Sequence, residues 1–154
     1  MVNPRIRILS ISIVPEDEAR GHVEHANPLR GIELAVYDET CRTRVRLENL
    51  AIMCLAGPSA QRKYNPRSVR HYQGESDRIL AQDCIGRITG GFSETAAFDT
   101  YYKLAGIWAD CLVNALWDQV EYLAKKLLES RKLSAKEVKN VIIDGFGEPI
   151  ILKK

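Results

Sequence analysis

The rhythm of apolar positions changes once along this chain. From Arg5 to Val14 the segment RIRILSISIV is rich in β-branched residues and reads as a strand. Ile6 and Ile8 share one parity while Leu9, Ile11 and Ile13 share the other, as in a strand covered on both faces or interrupted by a bulge. PEDEARG then supplies a turn and HVEHA a short returning strand. Between Asn27 and Thr40, NPLRGIELAVYDET reads as a loop with a little extended structure.

From about Arg42 the period becomes helical. Val45, Leu47, Leu50, Ala51, Cys54 and Leu55 make one apolar side, so RTRVRLENLAIMCLAGPSAQRK predicts a buried helix, which Gly57 and Pro58 are expected to kink or restart. A second helix is expected from about Ser76 to Thr89, ended by Gly90 and Gly91. A third begins at Ser93 and Glu94 and carries Ala97, Tyr101, Leu104, Ile107 and Trp108. Its pattern persists through Leu112, Leu116, Val120, Leu123 and Leu127, too long for one rod in a small domain, so a bend or break is expected between Gly106 and Leu116. Ser134, three residues before Glu137, makes a capping box for a last short helix, and DGFGEPIILKK reads as an extended arm. The predicted fold is α+β, mostly α: a small N-terminal β-hairpin or sheet followed by a bundle of four to five helices, in a single domain over residues 1–154.

Composition narrows the function classes. With 22 Lys and Arg against 20 Asp and Glu, the net charge of +2 gives no electrostatic reason to expect nucleic acid or acidic lipid. The basic runs CRTRVRLEN and QRKYNPRSVRHYQ read as a solvated helix face and loop, and nucleic-acid binding through them ranks last among the alternatives. Cys41, Cys54, Cys84 and Cys111 stand too far apart for a zinc knuckle or a thioredoxin motif and read as reduced, mostly buried thiols. No signal-peptide layout and no apolar run of bilayer length is present, so a cytoplasmic protein with no membrane partner is expected. There is no Walker phosphate loop, no dinucleotide-binding turn in ITGGF and no nucleophile elbow.

One acid stands out. In HYQGESDRILAQDCIGRI a helical register after Gly74 puts Asp77, Leu80, Ala81, Cys84 and Ile88 on one stripe, so Asp77 heads an apolar face. It is a helix-terminus acid stabilised by the macrodipole, a buried hydrogen-bonding acid, or one ligand of a metal. His22 and His25 form H-x-x-H, but on a strand they face opposite sides, and a shared metal would need a loop or a helical turn there. His71 lies in a loop six residues before Asp77, close enough in sequence to swing toward it.

The ordered set RILSISIVPEDEARGHVEH, NLAIMCLAGPSAQR and GESDRILAQD resembles the peptidase domain of FtsH-type ATP-dependent zinc metalloproteases and their small stand-alone relatives. The likeness spans about Asn3 to Gly90, and LAKKLLESRKLSAKEV resembles that family's C-terminal bundle. It implies a peptidase-like domain, zinc as the cofactor, and Asp77 as the third protein ligand of the metal. In the family the two histidine ligands and the general-base glutamate come from HExxH on a helix ahead of the strand, and this sequence contains no HExxH. A hydrolytic zinc site needs three protein ligands and an open position for water, which one carboxylate cannot provide. The expectation is therefore a metallopeptidase-like domain that is inactive or incomplete, with no catalytic residues of its own and no zinc bound by this chain alone. The alternative is a non-catalytic helical protein-interaction module.

Two histories fit: a shortened form of a protein whose upstream residues complete the site, or a natural remnant kept for binding. The start at a strand, with its packing helix missing, favours the first. Loss of that helix is expected to expose apolar surface, covered by self-association or by a partner protein.

Overall fold

The computed structural model describes residues 7–15, 21–31, 40–68, 74–91 and 95–146. Five α-helices and a three-stranded sheet are present among them: β1 (Ile8–Ser12), β2 (His22–His25), α1 (Cys41–Tyr64), α2 (Glu75–Thr89), α3 (Ala96–Ala115), α4 (Trp117–Ser130), β3 (Lys132–Ser134) and α5 (Ala135–Phe146). The mostly helical α+β fold predicted above is what forms. The described residues gather into two compact units, one spanning Pro28–Ala115 and the other combining Arg5–Asn27 with Leu116–Lys154.

The first unit is α1 with α2 and α3 packed on it. Thr40 caps α1 by accepting a hydrogen bond from the Thr43 amide at 3.3 Å. The helix then runs unbroken through Pro58, where a kink or restart was expected. Pro58 leaves the Cys54 carbonyl without its helical donor, but a single missing bond does not outweigh the packing that Leu47, Leu50, Ala51 and Cys54 make on one side of the same helix. Opposite them Ala81, Cys84 and Ile85 of α2 and Phe98 and Ala105 of α3 complete the core. Ala51, Ala81 and Ile85 have no exposed surface. Small side chains on α1 and α2 favour a close approach, and Ile85 is the largest fully buried side chain among the described residues. Gly90, left-handed at φ 67°, ends α2 as expected, its amide donating to the Gly86 carbonyl. Ser93 and Glu94, the expected start of the third helix, lie outside the described residues. The Thr95 hydroxyl accepts from the Phe98 amide at 3.1 Å in the capping manner.

In the second unit β1 is the central strand of an antiparallel sheet ordered β2–β1–β3. The parity change read in RIRILSISIV is a bulge: the register with β2 shifts between Ile8 and Ser10, turning Leu9 outward and leaving Ser10, Ile11 and Ser12 all buried. The buried hydroxyls are satisfied, Ser10 donating to Glu24 at 3.0 Å and Ser12 accepting from the Val14 amide at 3.1 Å. Gly21 is required by close approach, since a Cβ there would lie 2.7 Å from the Ser12 carbonyl oxygen. The third strand was not foreseen. Lys132–Ser134 has no β-branched residue and only three positions, yet it pairs Ser134, Leu133 and Lys132 with Ser10, Ile11 and Ser12. Leu133 and Ile11 then meet Val138 of α5 in a small core, flanked by Leu123 and Leu127 of α4 and Ile142 of α5.

The break expected between Gly106 and Leu116 falls at Leu116, where α3 gives way to α4. The capping box of α5 is formed: the Ser134 amide and hydroxyl both donate to Glu137 Oε2, at 2.7 and 2.6 Å, and the Glu137 amide donates back to Ser134 Oγ at 3.4 Å. These bonds hold the Glu137 carboxyl below its usual range. Ser134→Ala removes the cap at the point where β3 turns into α5, and should lower the thermal midpoint of this unit by about 5 °C in a circular-dichroism melt. The helix takes up Asp144, Gly145 and Phe146 of the arm expected at the C-terminus, and the remainder lies outside the described residues. No helix among the described residues is long and apolar enough to cross a membrane.

Candidate functional site at the start of α2

α2 leaves the left-handed Gly74 with Glu75 and Asp77 in its first turn, where the positive end of the helix dipole favours both acids. Arg78 pairs with Glu75 at 3.6 Å. Of the stripe expected with Asp77, Ala81 and Cys84 are buried and Ile88 lies against the core, whereas Leu80 is exposed.

Asp77 itself is exposed, which corrects the expectation that it faces a dry interior. It lies a full turn ahead of Ala81, the first α2 residue that the core buries, so the register fixes its direction but not its cover. Its charge nonetheless reaches the α1–α2 contact. Burial, followed by the Asp77 carboxylate, pushes the Cys54 thiol up to about 11.

Among the described residues no group of three His, Cys, Asp or Glu side chains is placed to hold a metal ion. His22 and His25 belong to β2 in the other unit, both half-buried, and the His25 ring lies 3.1 Å from the Ala26 carbonyl oxygen. His71 lies outside the described residues. Cys54 and Cys84 are buried thiols raised to about 11 and about 12, burial being the leading cause for each.

Two polar clasps between α1 and α3 were invisible in the sequence. Ser59 donates to Asp110, which Arg62 also engages at 3.0 Å, and Lys63 donates to Asn114 at 2.6 Å. The Ser59 and Arg62 hydrogen bonds hold the Asp110 carboxyl below its ordinary value. Nearer the start of α3, Tyr101 donates to Glu48 and accepts from Arg44, whose guanidinium also lies over the tyrosine ring, 5.6 Å from its centre. Ser59 hydrogen-bonds to a carboxylate rather than to an imidazole, so this group holds two helices in register and is not a nucleophile–base pair. Both clasps join residues about fifty positions apart, and only the crossing of α1 and α3 brings them together.

Compared with known proteins, the chain matches no protein-family model and no curated protein sequence.

Proposed function

We propose that this chain is a zinc-metallopeptidase-like domain of the FtsH type that is incomplete as a catalyst: it offers one carboxylate, Asp77, toward a metal and cuts no peptide by itself. The supporting observation is the placement of Asp77. It lies in the first turn of α2 at helical spacing from the buried Ala81 and Cys84, it is exposed, and its carboxylate contributes, after burial, to the raised Cys54 thiol of α1. The element order of strand, returning strand, LAGPSA helix and Asp-bearing helix accords with the same reading.

Metal analysis of the chain purified without chelator tests it. The chain alone should hold far less than one zinc. A version with an HExxH-bearing helix fused ahead of Met1 should hold about one, lost on Asp77→Ala. Stoichiometric zinc on the unmodified chain, or zinc in the fusion that ignores Asp77→Ala, would overturn the proposal.

A second reading, the non-catalytic helical interaction module, is favoured by one further observation: the side of α3 turned away from α1 carries large apolar residues in the open. On that reading Asp77 is a helix-terminus acid, and its replacement leaves metal content unchanged.

A further inference from the structure

α3 is apolar around most of its circumference. Phe98, Ala105, Ala109 and Val113 are buried in the first unit. The polar residues Asp99, Lys103, Asp110 and Asn114 fall within about 60° of one another at about 100° per residue. The remaining arc carries Leu104, Ile107, Trp108 and Leu112, which are 45%, 50%, 54% and 46% exposed, with Cys111 and Ala115 also exposed among them. A helix with apolar residues on both sides calls for cover on both, and α1 and α2 cover one.

We propose that the outer face of α3 pairs with the same face of a second copy of this chain, antiparallel about a two-fold axis near Ile107 and Trp108, in a weak reversible dimer. The rim charges select this arrangement. Lys103 and Asp110 lie seven residues apart, hence on the same edge of the stripe, and on opposite sides of its centre. The antiparallel two-fold sets Lys103 of each copy near Asp110 of the other, twice over. Parallel pairing would carry this edge of the two copies to opposite rims of the dimer, where neither Lys103–Asp110 pair can form. Asp110 leaves half of its side chain, 50%, exposed while held by Arg62.

Side-chain size agrees with the same axis. Leu104 of one copy comes opposite the smaller Cys111 of the other, and Ile107 and Trp108 meet at the centre. The four large residues leave on the order of 400 Å² open per copy, so pairing buries roughly 800 Å², less than the 1,200 Å² at which stable interfaces begin and appropriate to a transient one. No residue of α2 takes part, so the pairing is independent of any metal at Asp77. It does rest on the interaction-module surface, to which it assigns the occupant.

Sedimentation velocity over a range from micromolar to near-millimolar concentration tests the pairing. The expected result is a monomer–dimer equilibrium that goes no further and that Leu104→Glu with Leu112→Glu weakens by at least about tenfold, with the helical circular dichroism unchanged. Lys103→Glu, which leaves the Asp110 clasp on α1 intact, should also weaken the dimer, while Lys103→Arg should keep it. A chain monomeric at every concentration, a dimer indifferent to the glutamate substitutions, or one that Lys103→Arg weakens as much as Lys103→Glu would overturn the proposal. A Trp117→Phe variant, which leaves Trp108 as the sole indole, separates that failure from failure of the underlying reading. Its emission should shift to the blue as the dimer forms. A monomer with solvent-exposed emission would overturn the pairing and leave the surface open to another partner, whereas buried-indole emission at every dilution would overturn both.

Discussion

Ile85→Ala should destabilise the first unit by about 3 kcal/mol, lowering its thermal midpoint by 10 °C or more. Ile85 has no exposed surface and is the largest side chain so enclosed. Ala51 and Ala81 of the same core are too small to fill the space an alanine would leave, and α1 is pinned to α3 by the Ser59–Asp110 and Tyr101–Glu48 clasps. The cavity therefore persists, and a persisting cavity adds its own cost to the lost transfer energy. Ile85→Val, which removes a single methylene, should cost about 1 kcal/mol. Urea titrations followed by circular dichroism give both values, and a loss below 1 kcal/mol for the alanine variant would show that α2 does not pack on α1 through this residue.

The second large effect is on alkaline stability. Cys54 and Cys84 are raised to about 11 and about 12 in the folded chain, by burial first and by nearby negative charge second, while the unfolded thiols ionise near 9. Between those values the unfolded state has released protons that the folded state still holds, so stability is full below pH 9 and falls as pH rises toward 11. Each pH unit in that window removes about 1.4 kcal/mol per thiol, so the two together cost on the order of 4 kcal/mol by pH 10.5. Tyr101 and Tyr102, both raised chiefly by burial, act in the same direction. The fall in urea midpoint from pH 8 to 10.5 should be much shallower in the Cys54→Ala/Cys84→Ala double variant than in the parent chain, and equal slopes would sink the assignment. Thiol labelling at pH 8 supplies a second readout: the exposed Cys41 and Cys111 should react promptly, and Cys54 and Cys84 only on unfolding.

Local signals carried much of this fold. The parity change at Leu9 marked a bulge, the Gly90 terminator and the Ser134–Glu137 box bounded helices, and the over-long pattern through Leu127 demanded the break found at Leu116. Each depends on residues a few positions apart. What sequence did not show depends on distant partners. Lys132–Ser134 has no strand character of its own and becomes a strand because β1 offers an unpaired edge. Pro58 ordinarily interrupts a helix, but the Leu47–Cys54 side of α1 is held on both α2 and α3. Asp77 shows the same limit at the candidate site: periodicity gave its direction around α2 and could not say where the cover of α1 stops. The exposed arc of α3 was present in the pattern as Leu104, Ile107 and Trp108, but apolar spacing alone does not separate a face turned to the core from one turned to solvent.

The central strand of the small sheet has a consequence for biosynthesis. Ser10 pairs with Glu24 on one side and with Ser134 on the other. The first partner follows almost at once from the ribosome, whereas the second is made roughly 120 residues later, a delay on the order of ten seconds at ordinary translation rates. Throughout that interval the hairpin offers a bare hydrogen-bonding edge to any extended chain nearby, including another nascent copy. The step most open to mispairing is thus the wait for Leu133, which is made 18 residues (133 − 115) after the three-helix unit between the two sheet segments has all its residues.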